Sequence, residues 1–118
     1  MSMIMVVDDA AFMRMRCAKL LTENGHKVVE ASNGVEAIQK YTANKPDAVL
    51  LDITMPEMDG IDTLKKLVEI DNGVRVAMVT AMGQQSMVIE ALKSGAKDFV
   101  VKPFSADRVL AALDRILQ

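Results

Sequence analysis

The chain has 118 residues, 51 % of them hydrophobic, with sixteen acidic against fourteen basic side chains and a formal charge of −2. That length predicts a single domain spanning 1–118, able to bury roughly two-thirds of its unfolded surface and too apolar to be disordered. The near-balanced charge gives no reason to expect nucleic acid binding through a basic face, the lone Cys17 excludes an internal disulfide and fits a reducing cytoplasm, and no apolar run approaches a membrane span.

Met3 to Val7 is a short apolar run that reads as a buried strand and ends in Asp8-Asp9. Between Ala10 and Asn24, apolar residues at Met13, Cys17, Leu20 and Leu21 have helical spacing, and Gly25 is a natural stop. Val28 and Val29 mark a second strand. Asn33 with Glu36 three residues later resembles a capping box, and the helix it opens would turn Val35, Ile38 and Tyr41 inward. Lys45-Pro46-Asp47 breaks the chain before Ala48-Val49-Leu50-Leu51, a run with no polar alternation, as expected of a strand buried on both faces. Asp52 ends that run, and Pro56 and Gly60 bracket the loop that follows. Ile61, Leu64, Leu67 and Val68 form the next helical stripe, closed by Asp71-Asn72-Gly73. Val74 to Val79 is a fourth strand ending in Thr80-Ala81. A helix carrying Val88, Ile89 and Leu92 comes next, with Gly95 as its stop. Asp98 to Val101 is a fifth strand ending in Lys102-Pro103. Ser105 is placed to cap a last helix with a stripe of Val109, Leu110, Leu113, Ile116 and Leu117.

Five strands alternate with five helices across short connections, which predicts an α/β fold with a parallel sheet covered by helices on both faces. All strands then point one way, and their ends share one edge of the sheet, the edge where such folds bind ligands. That edge collects Asp8, Asp9, Asp52, Thr80 and Lys102. If the strands leading to Asp9 and Asp52 are neighbours, their carboxylates crowd together, and two such charges 4 Å apart repel by roughly 4 kcal/mol at an effective dielectric near 20. Either one carboxyl stays protonated or a cation enters, and clustered hard oxygens suit Mg²⁺. Asp52 has the chemistry of a phosphoryl acceptor, Lys102 and Mg²⁺ that of neutralising the transferred oxygens, and Thr80 can donate a hydrogen bond to one of them. Each residue alone is a common surface residue; the conjunction at four of the five strand ends is the specific signal.

This set resembles the receiver domain of two-component response regulators: Asp8-Asp9 after strand one, Asp52 after strand three, Thr80-Ala81 after strand four and Lys102-Pro103 after strand five. The stretches Asp8 to Arg14, Asp52 to Ile61, Ala81 to Gln85 and Lys97 to Phe104 resemble the stand-alone chemotaxis members in particular. The resemblance implies a flavodoxin-like doubly wound sheet of order 2-1-3-4-5. It implies that Asp52 takes a phosphoryl group from a sensor histidine kinase, with Mg²⁺ held by Asp9, Asp52 and the Thr54 carbonyl, and by Asp8 partly through water. Lys102 would pair with the phosphoryl group, and the Lys102-Pro103 bond is a cis-peptide candidate. Thr80 and Phe99 would form a coupled two-state switch, read out on the fourth helix, fifth strand and last helix. The implied protein is a cytoplasmic, monomeric signalling switch that acts only on its own phosphorylation and dephosphorylation. Its target would be a bacterial flagellar motor switch or an archaeal motor adaptor, and the need for a separate phosphatase stays open. Phe99 stands where many members carry a tyrosine, and Thr54 and Met82 leave the flanks of the phosphoryl site uncharged.

Other readings differ in class. A stand-alone receiver in another phosphorelay would carry the same residues. An aspartyl-phosphate hydrolase would favour an Asp-x-Asp pair after strand one and a substrate cap, whereas Asp8 and Asp9 are adjacent. A flavin or nucleotide binder would need backbone amides facing phosphate where Asp8-Asp9 stand. Ten methionines suggest an adaptable surface, yet Met5, Met13 and Met78 read as core, leaving Met82 and Met87 for contact. Gly83-Gln84-Gln85 reads equally as a hinge or as a helix start.

Overall fold

The alternation of buried strands and amphipathic helices resolves into one five-stranded parallel sheet in the computed structural model, which describes residues 2–55 and 58–118. The strands are β1 (Met3–Val7), β2 (Lys27–Ala31), β3 (Ala48–Asp52), β4 (Val76–Thr80) and β5 (Asp98–Val101). The helices are α1 (Ala11–Glu23), α2 (Gly34–Asn44), α3 (Gly60–Ile70), α4 (Gln85–Lys93) and α5 (Ala106–Leu117). The sheet order is β2-β1-β3-β4-β5, with every pairing parallel. Pro56, expected to bracket the loop after β3, lies outside the described residues.

Period-two alternation sends successive strand residues to opposite faces, and two cores follow from it. Met5, Val7, Val49, Leu51, Val76 and Met78 meet Ala37 and Tyr41 of α2, Leu64 and Leu67 of α3, and Val88 and Ala91 of α4. Ile4, Val6, Leu50, Ala77, Val79 and Val100 meet Cys17 and Leu21 of α1 and Val109, Ala112, Leu113 and Ile116 of α5. β3 is buried at all five positions because it lies in mid-sheet between both helical layers. Each buried Leu there contributes on the order of 2 kcal/mol relative to exposure.

The ends of the helices follow their sequence signals. The Asn33 side chain accepts the Glu36 amide at 2.8 Å, and Glu36 reaches back to the Ser32 amide at 3.1 Å. Asp59 accepts from Asp62 and Ser105 from Arg108. Gly25 and Gly95 take positive φ after α1 and α4. The C-cap of α2 is Lys45 in the left-handed region, a position with no glycine to mark it.

Some expectations shift. β4 starts at Val76 rather than Val74, because Val74 still belongs to the turn and donates its amide to the Asp71 carbonyl. Val35, expected inward, is exposed, as are Ile89 and Leu92 of α4. The inner positions are taken by Ala37 and Tyr41 in α2 and by Val88 and Ala91 in α4. Met5 and Met78 are fully buried, while Met13 is only half-buried and Met82 is exposed.

Gly60 opens α3 directly behind the end of β3, donating its amide to the Ile53 carbonyl at 2.7 Å. A Cβ there would meet the Asp52 carbonyl oxygen at 2.1 Å and the Ile53 Cα at 2.7 Å, both backbone atoms that cannot step aside. Gly60→Ala is therefore expected to destabilise the fold by about 2 kcal/mol, measured as a lowered urea midpoint with unchanged slope.

Candidate functional site

The ends of β1, β3, β4 and β5 meet at one edge of the sheet. β1 and β3 are neighbours, with Val7 opposite Leu51, so the residues leaving these strands stand side by side. Carboxylate oxygens of Asp8, Asp9 and Asp52 all lie within 4.8 Å of one another. Asp8 and Asp52 are buried, and Asp9 faces solvent. Lys102, delivered by the end of β5, places its Nζ 3.1 Å from Asp8 Oδ2 and 3.5 Å from Asp52 Oδ2. The Lys102-Pro103 bond is cis. The backbone at Asp8 is fixed locally: its Oδ1 accepts the Ala10 amide at 2.9 Å, and its carbonyl accepts from Arg14 at 2.7 Å.

Burial raises the Asp52 carboxyl to about 6. Lys102 opposes that rise, Asp8 adds to it, and the Thr54 amide, donating to Asp52, lowers it. Burial alone would lower the Lys102 ammonium, but Asp52 and Asp8 outweigh it and hold it raised. The amine therefore stays charged between two buried carboxylates. Three ionised carboxylates against one amine leave two negative charges in a partly buried space, which a divalent cation with oxygen preference would balance. Cys17, on the inner face of α1, is raised to about 11 by burial and by Asp8, which makes it an inert thiol.

Thr80 is buried at the end of β4. Its hydroxyl is turned to Gln84 Oε1 at 2.7 Å, with the Ala81 carbonyl at 3.1 Å. Phe99 is half-buried and packs against the core around β4 and α4. Thr80 and Phe99 share a cleft of about 650 Å³ with Met82, Val88, Ile89 and Leu92. Thr54 is exposed, and its Oγ1 accepts from Gln84 Nε2 at 2.6 Å. The structure thus brings Asp8, Asp9, Asp52 and Lys102 into one cluster and leaves Thr80 beside it with its hydroxyl engaged elsewhere.

Two features escaped the sequence. Gln84 sits at the start of α4, and its bonds to both Thr54 and Thr80 left no mark in spacing or composition. Asp98, the first residue of β5, is buried, accepting the Phe99 amide at 2.8 Å, with Arg108 and Arg115 at 3.6 and 3.7 Å. Arg108 also donates to the Phe99 carbonyl, so α5 grips β5 at the residue that borders the cleft.

Comparison with known proteins agrees with this geometry. The family model described as response regulator receiver domain matches residues 4–114. The chain is 58 % identical over 115 residues to the chemotaxis protein CheY of Bacillus subtilis, covering 97 % of this chain and 96 % of that protein. It is 54 % identical to the CheY of Thermotoga maritima, covering 96 % and 95 % respectively. Among solved structures it superposes on the CheY of a CheX–CheY–BeF₃–Mg²⁺ complex from Borrelia burgdorferi with a TM-score of 0.93 and 36 % identity, covering 98 % of this chain and 89 % of that one. With its sheet order, its acidic cluster and these likenesses together, the chain belongs to the response regulator receiver domain family and is a CheY-like signalling protein rather than a metabolic enzyme.

Proposed function

We propose that the chain is a single-domain chemotaxis switch in which Asp52 accepts a phosphoryl group from a sensor histidine kinase. The observation that carries this reading is the placement of Lys102 Nζ within 3.5 Å of Asp52 inside a cluster of three carboxylates. Of the two buried members, Asp52 is the acceptor because it is the one at the end of the central strand, with one carboxylate oxygen facing the amine. The other carboxylates, Asp8 and Asp9, together with Asp52 and the Thr54 carbonyl, would hold Mg²⁺. Their all-oxygen donor set and residual charge fit that ion, which when bound neutralises the equatorial oxygens of the transferred group.

In the transfer, an Asp52 oxygen forms the new bond to phosphorus while the bond to the kinase imidazole breaks. The imidazole keeps the electron pair and takes a proton from solvent. Lys102, already charged between Asp8 and Asp52, needs no reorganisation to meet the incoming oxygens. Thr80 then donates its hydroxyl to a phosphoryl oxygen, and Phe99 moves into the space this opens. Attack of water on the acyl phosphate resets the protein, with or without a separate phosphatase. The exposed apolar residues Met82, Ile89, Leu92 and Val101 lie on the α4–β5 side and give the output face for a flagellar motor component. The protein works in the cytoplasm on this reading, and no helix among the described residues is long and apolar enough to cross a membrane.

Beryllofluoride with Mg²⁺, a stable phosphoryl mimic, tests the switch. It is expected to raise the melting temperature by several degrees and to turn on capture of a flagellar switch component. Capture that is equal with and without the mimic would contradict the proposal.

A further inference from the structure

Gln84 occupies the N-cap position of α4, where Ser, Thr, Asp or Asn would ordinarily close the helix. Its side chain makes no cap. It turns back toward the sheet edge, where Oε1 accepts from Thr80 Oγ1 at 2.7 Å and from the Ala81 amide at 2.8 Å. Its Nε2 donates to Thr54 Oγ1 at 2.6 Å. One amide therefore ties the loop after β3 to the loop after β4 and holds the hydroxyl that has to turn toward a phosphoryl group on Asp52.

A hydroxyl has one proton to give. Thr80 directs it at Gln84, with the Ala81 carbonyl as second acceptor, and donation to a phosphoryl oxygen means leaving both. Hydrogen bonds that exist in only one of two states favour that state by their net free energy. We propose that Gln84 is a resting-state latch, a positioning residue that acts through Thr80 and weakens binding of the phosphoryl group until the latch opens. The hinge for that opening is next to it. Gly83 has φ +88 with no atom within 4 Å of where a Cβ would stand, so the Ala81–Gly83 segment has room to re-aim once Gln84 lets go.

The inference rests on Asp52 as the acceptor, and the test separates the two. Affinity for beryllofluoride in saturating Mg²⁺ is measured by titration calorimetry for the unaltered protein, Gln84→Ala, Gln84→Met, Thr80→Val and the double variant Gln84→Ala/Thr80→Val. Gln84→Met keeps the length of the side chain and loses both polar atoms. Each Gln84 variant is expected to bind the mimic roughly five- to tenfold tighter, the effect of losing one to two net hydrogen bonds from the resting state. In the Thr80→Val background the same change is expected to move affinity by about twofold or less, since the hydroxyl is gone. Unchanged or weaker binding by both Gln84 variants overturns the latch, and so does an equal tightening with and without the Thr80 hydroxyl. If the unaltered protein binds no beryllofluoride, the acceptor assignment falls and the latch with it; if it binds and the variants match it, the latch alone falls.

Discussion

Asp52→Asn is expected to stabilise the protein when no divalent cation is present, and to do so only above mildly acidic pH. Burial lifts the Asp52 carboxyl from its ordinary 3.8 to about 6 in the folded state. Below pH 3.8 both folded and unfolded chains hold the proton, and Asp52 makes no difference to stability. Between 3.8 and 6 only the folded chain keeps it. Above 6 both are ionised, and the folded chain carries the full cost of a charge next to Asp8 in a buried place. The stability of the unaltered protein thus falls as pH rises through that window. The gain from Asn grows over the same window and levels off near neutrality at about 2 kcal/mol, the size a shift of this order implies after allowance for relaxation. Chemical denaturation at pH 3.5 and pH 7.5, in chelator, checks it. Equal midpoints for the two proteins at pH 7.5 would mean that Asp52 sits in a well-solvated site. Added Mg²⁺ should shrink the difference, because it binds and stabilises the protein that keeps the carboxylate more strongly than the one that lost it.

Lys102→Ala carries the second large effect. The amine is the only cation within ion-pair distance of Asp8 and Asp52 among the described residues, so its loss leaves two buried carboxylates facing each other. The rate of phosphorylation by a small phosphodonor in saturating Mg²⁺ is expected to fall about a hundredfold, the usual cost of deleting one preorganised electrostatic contact to a charged transition state. Circular dichroism would establish that the variant is folded. A folded variant that is phosphorylated at the unaltered rate would remove Lys102 from the chemistry. Lys102→Arg is expected to recover only part of the rate, since a planar guanidinium does not reproduce a compact point charge at 3.1–3.5 Å.

Much of this was legible in the residues. The unbroken apolar run of β3, the helical stripes of α3 and α5, and the caps at Asn33 and Ser105 each state their structure locally, and the folded chain agrees. Alternation of strands and helices carried the inference that Asp8, Asp9, Asp52, Thr80 and Lys102 reach one edge. Strand order did not follow from periodicity, and it came from the resemblance alone. What the sequence hid depends on tertiary distance. Ile89 and Leu92 have the spacing of an inner stripe, but α4 packs through Val88 and Ala91 and leaves them outside. Val35 is displaced outward in the same way on α2. Gln84 reads only as part of a hinge or a helix start, because its partners, Thr54 in the loop after β3 and Thr80 at the end of β4, are brought together by the fold alone. The burial of Asp98 has no local signal because its arginine partners lie ten and seventeen residues further along the chain, on α5.

The central claim is that one buried carboxylate at the end of β3 is the site where a phosphoryl group is attached. Intact-mass spectrometry after incubation with a small phosphodonor, with and without Mg²⁺, followed by peptide mapping, measures it directly. One added phosphoryl group, dependent on Mg²⁺, located on the peptide that contains Asp52 and absent from Asp52→Ala is the predicted result. Equal labelling of Asp52→Ala, or labelling located elsewhere in the chain, would contradict it.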